Sequence, residues 1–199
     1  MEKILRKKIL NMKILVAGNK EYGLAKAIYE KYPDATFLSR TTGYDLKDHS
    51  VRVGVAKMSL EYDVFLSVST LGGFAQTRLI EEIMKVWWIT NHSGYLIALG
   101  SSADTPVKGT SWVYPAEKKA LRAYCRQQGQ AIAGDTPPNW KVTYLATGNL
   151  HTPNQDKKLP DTPKLDTSYV AETVDWLINQ PKHINITELC LDRIQINAV

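Results

Sequence analysis

From residue 13 to residue 192, short apolar runs alternate with stretches of helical period. A chain satisfies that pattern by laying parallel strands side by side and returning through helices. Residues 13–17 (KILVA) are apolar and end at Gly18, and residues 23–32 then set Leu24, Ala27, Ile28 and Lys31 at helical spacing until Pro33-Asp34 interrupts them. Residues 35–39 read as a second strand and Tyr44-Asp45-Leu46 as a short third. Residues 62–68, 95–100, 141–146 and 188–192 complete seven strands. Helices are expected over 49–60 with Asp48 as N-cap, over 74–90, over 114–128 stopped by Gly129, and over 168–179 with Ser168 as cap. Residues 149–166, with Pro153, Pro160 and Pro163, predict a surface loop. The expected fold is α/β: a single-domain, doubly wound parallel sheet of Rossmann-like type over residues 13–199, behind a basic leader at 1–12. Met12 offers an alternative start that would make residues 1–11 dispensable.

Charge narrows the partners. The chain has 25 Lys+Arg against 20 Asp+Glu, a net charge of +5. Lys3, Arg6, Lys7, Lys8 and Lys13 against Glu2 put +4 of that in the first thirteen residues, so the folded part is close to neutral. A nucleic-acid surface needs basic residues concentrated on a folded face, and none is expected here. No apolar run approaches the roughly 18 residues of a membrane span, which points to a cytoplasmic protein. Cys125 and Cys190 form no C-x-x-C pair, and His49, His92, His151 and His183 are scattered, so neither a disulfide framework nor a metal site is expected.

In doubly wound sheets, ligands bind beyond the carboxyl ends of the strands. The residues in question are Gly18-Asn19-Lys20-Glu21-Tyr22-Gly23 after the first strand, Ser39-Arg40 after the second, Ser67 to Gly73 after the fourth, Ser101-Ser102 after the fifth and Thr147-Gly148 after the sixth. The Gly18 to Gly23 turn opens a helix, whose amides and dipole suit a pyrophosphate. A dinucleotide's adenine ribose falls near the end of the second strand, where Arg40 would pair with a 2′-phosphate and no acid is present to accept from a 2′-hydroxyl. With Lys20 as a second positive charge, NADP(H) is favoured over NAD(H). Tyr114 and Lys118 stand at i and i+4 on one helix face, thirteen residues after Ser101. Hydroxyl, phenol and ammonium are thus expected at one rim.

With Ala17-Gly18, Gly23-Leu24-Ala25, Asp45-Leu46, Gly100-Ser101, Tyr114 to Lys118 (YPAEK), Thr147-Gly148 with Thr152, and Ile186-Thr187 in that order, the chain resembles the short-chain dehydrogenase/reductase family. The resemblance implies that Tyr114 is the general acid or base and Ser101 the substrate anchor, and that Lys118 tunes the phenol and binds the ribose. Gly18, Asn19, Lys20, Tyr22, Gly23, Leu24, Ser39, Arg40, Asp45, Leu46, Ser67, Ser69, Thr147, Gly148 and Thr152 are implied as cofactor contacts. The substrate would be a small carbonyl or alcohol, and the helices at 74–90 and 114–128 would form a homodimer interface. Lowering a phenol by two pKa units takes roughly 2.7 kcal/mol. A unit charge about 4 Å away at effective dielectric 20 supplies on the order of 4 kcal/mol. Lys118 is expected to suffice.

The sequence also departs from the family. Gly23 follows Gly18 by five residues where four are usual, and Ala25 stands at the third glycine. Ser67-Val68-Ser69-Thr70 occupies the place of Asn-Asn-Ala-Gly, and the next helix offers Gly73 or Phe74 near the site of an active-site Asn, with no replacement evident. A slower or differently wired enzyme follows, or a non-catalytic NAD(P)-binding sensor or scaffold. Trp87 and Trp88 are adjacent, so one of them is expected to be exposed or covered by a partner.

Overall fold

A computed structural model describes residues 12–105, 110–130 and 138–193; all but the last residue of the leader expected at 1–12 lies outside them. β1 (Ile14–Ala17), β2 (Thr36–Leu38), β3 (Val64–Ser67), β4 (Tyr95–Leu99), β5 (Lys141–Thr147) and β6 (Glu188–Leu191) form one parallel sheet in the order β2-β1-β3-β4-β5-β6. β1, β3, β4 and β5 are buried on both faces, which is why they read as continuous apolar runs rather than alternating ones. Leu15, Ala17, Phe65, Leu96, Ala98, Val142 and Tyr144 face α2 (His49–Met58), α3 (Ala75–Thr90) and α4 (Tyr114–Gly129). Ile14, Val16, Leu66, Ile97, Leu99 and Leu145 face α1 (Gly23–Lys31) and α6 (Thr167–Ile178) on the other side. Among the described residues no helix is long and apolar enough to cross a membrane.

Among the described residues the sheet has six strands rather than the expected seven, because Tyr44-Asp45-Leu46 is irregular. Arg52 explains the difference: its Nη1 donates to the carbonyls of Leu46 at 3.2 Å and Lys47 at 2.7 Å, acceptors that a strand would offer to a ladder. β2 is therefore the margin of the sheet. The expected loop at 149–166 also holds more structure than composition suggests, with α5 (Pro153–Lys158) and a bridge between Leu150 and Leu165. Asp48 does cap α2, accepting from the Ser50 amide at 2.7 Å. Ser168 does not cap α6, which starts at Thr167 with Asp166 in the cap position and no side-chain cap bond.

The connections set the site. The chain leaves β1 for β2 on one side, then returns through α2 to place β3 on the other side of β1. Strand order reverses between β1 and β3, which is where doubly wound sheets bind ligands, in a crevice beyond the carboxyl ends of the strands. The register aligns Ala17 with Ser67 and Ser67 with Ala98, so β1, β3 and β4 all finish at this rim.

Candidate active site

β4 ends at Leu99, and Gly100 leads into Ser101, whose hydroxyl accepts from the Ala103 amide at 3.2 Å and caps a 3-10 turn over Ser102–Asp104. Tyr114 begins α4, with Pro115 next, where a missing N–H costs nothing. The Ser101 side chain lies near enough to the Tyr114 phenol to pull its pKa downward. One helical turn on, Lys118 is 4% exposed and its Nζ lies 5.5 Å from the centroid of the Tyr114 ring. The indole of Trp112 stacks on that phenol at 4.8 Å and 17°. The structure thus brings together the hydroxyl, phenol and ammonium that the spacing predicts.

The ionisation of Tyr114 runs opposite to the sequence expectation. Burial pushes the phenol above its ordinary pKa, and the carboxylates of Glu117 and Asp104 push it further, against the downward pull of the Ser101 side chain. Lys118 lies over the ring, and its own charge is taken up elsewhere: Nζ donates to Gln76 Oε1 at 2.7 Å and to the Leu99 carbonyl at 3.1 Å. Burial lowers the Lys118 pKa to about 8, against the carboxylates of Glu117 and Asp104 and the thiol of Cys125, which hold it up. In the free chain at neutral pH the phenol is protonated.

The sequence reading overlooked Gln76. It lies in the first turn of α3, two residues beyond Phe74, and only its contact with a helix 42 residues away gives it a role. Two carboxylates were also missed. Asp104 is buried and accepts from the Tyr144 hydroxyl at 2.7 Å, while the Ser101 amide donates to the same hydroxyl at 3.2 Å. Arg122 stands 3.6 Å from Asp104 and also pairs with Glu188. Glu117 accepts from the amides of Gly73 at 2.6 Å and Phe74 at 3.3 Å. Those two residues have φ of 71° and 58°, a conformation that Phe74 holds at some strain, and Glu117 ties it down.

Around the crevice, a methyl on Gly18 would meet Val68 Cγ2 at 2.7 Å and Ala25 Cβ at 2.8 Å, so glycine lets α1 pack close to the sheet. Gly23 has φ of 56°, and α1 begins with no side-chain cap and no acid in its first turn, which leaves its positive end open to an anion. Asn19 accepts from the Glu21 amide at 3.1 Å and shapes the turn, while Leu24 is buried beneath it. Lys20 lies over the Tyr29 ring at 5.1 Å. The Tyr22 hydroxyl accepts from the Asn154 amide at 3.1 Å, and Thr152, which caps α5, lies beside Gly23. Ser69 is half-buried and donates its amide to the Ala17 carbonyl at 2.9 Å.

Other expected contacts are placed differently. Ser67 is fully buried with its hydroxyl taken by Gln76 at 3.2 Å, and Thr147 is also in the core. Gly148 lies against Asp192. Ser39 starts a capping box over Arg40–Thr42, and Arg40 is exposed. Asp45 is exposed and accepts from the Lys47 amide at 3.1 Å, whereas Leu46 packs into the core.

Solved structures over nearly the whole chain share this architecture, and the fold is that of the short-chain dehydrogenase/reductase proteins. A short-chain dehydrogenase/reductase family protein superposes with a TM-score of 0.70 at 16% identity, over 92% of this chain and 96% of its own. A serine dehydrogenase in its closed form with NADP+ gives 0.68 at 14%, over 94% and 99%. A 4-hydroxyisoleucine dehydrogenase with NADH gives 0.67 at 14%, over 90% and 96%. In sequence, an uncharacterized oxidoreductase of Staphylococcus epidermidis is 22% identical over 185 residues, covering 92% of this chain and 75% of that protein. One from Staphylococcus aureus is 32% identical over 130 residues, covering 65% of this chain and 53% of its own. No protein-family model matches the chain.

Proposed function

We propose that the protein is an NADP(H)-dependent oxidoreductase that interconverts a small carbonyl and the corresponding alcohol. The observation that carries this reading is the meeting of Ser101, Tyr114 and Lys118 at the rim beside the β1/β3 crevice. The chain's residues fit a dinucleotide: α1 presents an uncapped, acid-free N-terminus to the crevice. Lys118 has three donors and two acceptors among the described residues, which leaves one N–H for a ribose hydroxyl. A bound nicotinamide supplies or accepts the hydride. Ser101 holds the substrate oxygen, and the Tyr114 hydroxyl gives that oxygen its proton in reduction or removes it in oxidation.

Titration of the protein with NADPH and NADH, followed by tryptophan quenching, and then turnover over a carbonyl panel, tests the reading. Failure to bind either nucleotide removes it. A sensor or scaffold is the second reading, favoured by the bond from Tyr22 to the 149–166 segment, which ties down the turn after β1; binding of a nucleotide with no turnover supports it. Lys20 is engaged on Tyr29, so Arg40 is assigned to the 2′-phosphate. Arg40→Glu is expected to weaken NADPH about tenfold or more, the value of one charge-assisted pair, and NADH little. Equal losses for both nucleotides would refute the assignment.

A homodimer in the cytosol completes the proposal. Trp87 is fully buried, whereas Trp88 is 40% and Ile89 84% exposed near the end of α3, the helix that packs on α4. Apolar surface of this kind favours burial against a second copy. Sedimentation at micromolar concentration is expected to give a dimer mass, and Ile89→Glu a monomer. A monomer in the unsubstituted chain rejects the interface.

A further inference from the structure

Gln76 is 4% exposed, and each polar atom of its side chain has a partner. Its Nε2 donates to the Ser67 carbonyl at 3.2 Å, to Ser67 Oγ at 3.2 Å and to the Leu99 carbonyl at 3.1 Å. Its Oε1 accepts from Lys118 Nζ at 2.7 Å. The amide has one permitted orientation, because an ammonium only donates and the two carbonyls only accept. Turning it over would set Nε2 against Nζ and Oε1 against two carbonyls. The side chain therefore bolts together the ends of β3 and β4, the first turn of α3 and the Lys118 turn of α4.

Among the described residues, no carboxylate pairs directly with Lys118. Glu117, beside it on α4, is turned to the Gly73 and Phe74 amides, and Asp104, from the turn after β4, is bound by Tyr144 and Arg122. Cys125 and the Tyr114 ring complete the charged and titratable groups around it. Two neutral oxygens, Gln76 Oε1 and the Leu99 carbonyl, therefore carry the buried charge, and the Leu99 oxygen is shared between Gln76 and Lys118.

We infer that Gln76 is a positioning residue for Lys118: its amide oxygen fixes the ammonium against the Leu99 carbonyl and so sets how Lys118 faces Tyr114. The catalytic consequence rests on the oxidoreductase reading above, whereas the hold on Lys118 does not. Removing the acceptor disfavours the charged lysine, and replacing the amide with a carboxylate favours it.

The test uses the full chain labelled with 13C-lysine, with the Lys118 Cε resonance assigned by Lys118→Arg and followed against pH without cofactor or substrate. In the parent chain, where burial lowers the Lys118 pKa to about 8, the midpoint is expected in that region. Gln76→Met, similar in volume and without a strong acceptor, is expected to lower the midpoint by about one unit or more, and Gln76→Glu to raise it by about as much. If Gln76→Met does not fold, Gln76→Leu, which also lacks an acceptor, carries the test. Midpoints unchanged in the folded variants overturn the inference. A parent chain that turns over no carbonyl, combined with shifted midpoints, removes the oxidoreductase reading and leaves the hold on Lys118 intact. In an active enzyme, the pH limb of kcat moves with the Lys118 midpoint; a loss of kcat at constant midpoint overturns the inference.

Discussion

Tyr114→Phe is expected to lower kcat by about 10²- to 10⁴-fold, the usual contribution of a positioned acid or base, while NADPH affinity stays nearly unchanged. The substitution is selective. Phenylalanine keeps a ring for Trp112 to stack on and for Lys118 to face, and only the hydroxyl beside Ser101 is lost. The raised pKa of Tyr114 also sets a direction for pH. A phenol whose pKa lies above its ordinary value stays protonated at neutral pH and can donate to a carbonyl oxygen, so reduction proceeds there. Oxidation needs the deprotonated form, whose fraction grows as pH rises, so the ratio of oxidation to reduction climbs with pH. Steady-state rates in both directions, for the parent and Tyr114→Phe, check both points. Retained turnover in the variant removes Tyr114 from its assigned role.

Gly100→Ala is expected to damage stability more than any other small substitution at the rim. An added methyl would overlap Cζ, Cε2 and Oη of Tyr144, whose ring is fully buried. The ring has little freedom to yield, because its hydroxyl is held between the Asp104 carboxylate and the Ser101 amide. Overpacking by a methyl in a close-packed core costs about 1–3 kcal/mol, and a tethered neighbour places this position at or above the upper end. Gly148→Ala is the control. There the methyl would meet the carboxylate of Asp192, an exposed side chain that can rotate away. Urea unfolding of the two variants side by side should show a large loss for Gly100→Ala and a small one for Gly148→Ala. Similar losses for both would show that the Tyr144 tether does not govern the rim.

The pattern of apolar runs was enough to locate the strands that matter. The strand expected over 95–100 ends within a residue of the observed β4, and the strand over 13–17 within a residue of β1, because strands buried on both faces leave continuous runs. Tyr44-Asp45-Leu46 was misread since its apolar character serves another purpose: Leu46 anchors a loop to the core while Arg52 occupies the adjacent carbonyls. The Ser101, Tyr114 and Lys118 meeting was legible because strand end and helix spacing fix it locally. The electrostatics were not. The sign of the Tyr114 shift is set by burial, with the carboxylates of Glu117 and Asp104 adding to it, and Asp104 is held by Tyr144 on β5, 40 residues away. Gln76 was invisible for the same reason, since a glutamine in a first helical turn is ordinary until the partner helix arrives.

The absence of a strand outboard of β2 also bears on how the protein behaves when concentrated. The two flanks of the sheet, β2 and β6, are three and four residues long, and the chain passes from them into Arg40 and into Asp192-Arg193. Flanks so brief and so quickly followed by charge give an incoming chain only a few amides to pair with, too few to template fibrillar growth. Among the described residues, the edges of the sheet are therefore poor templates for an incoming strand.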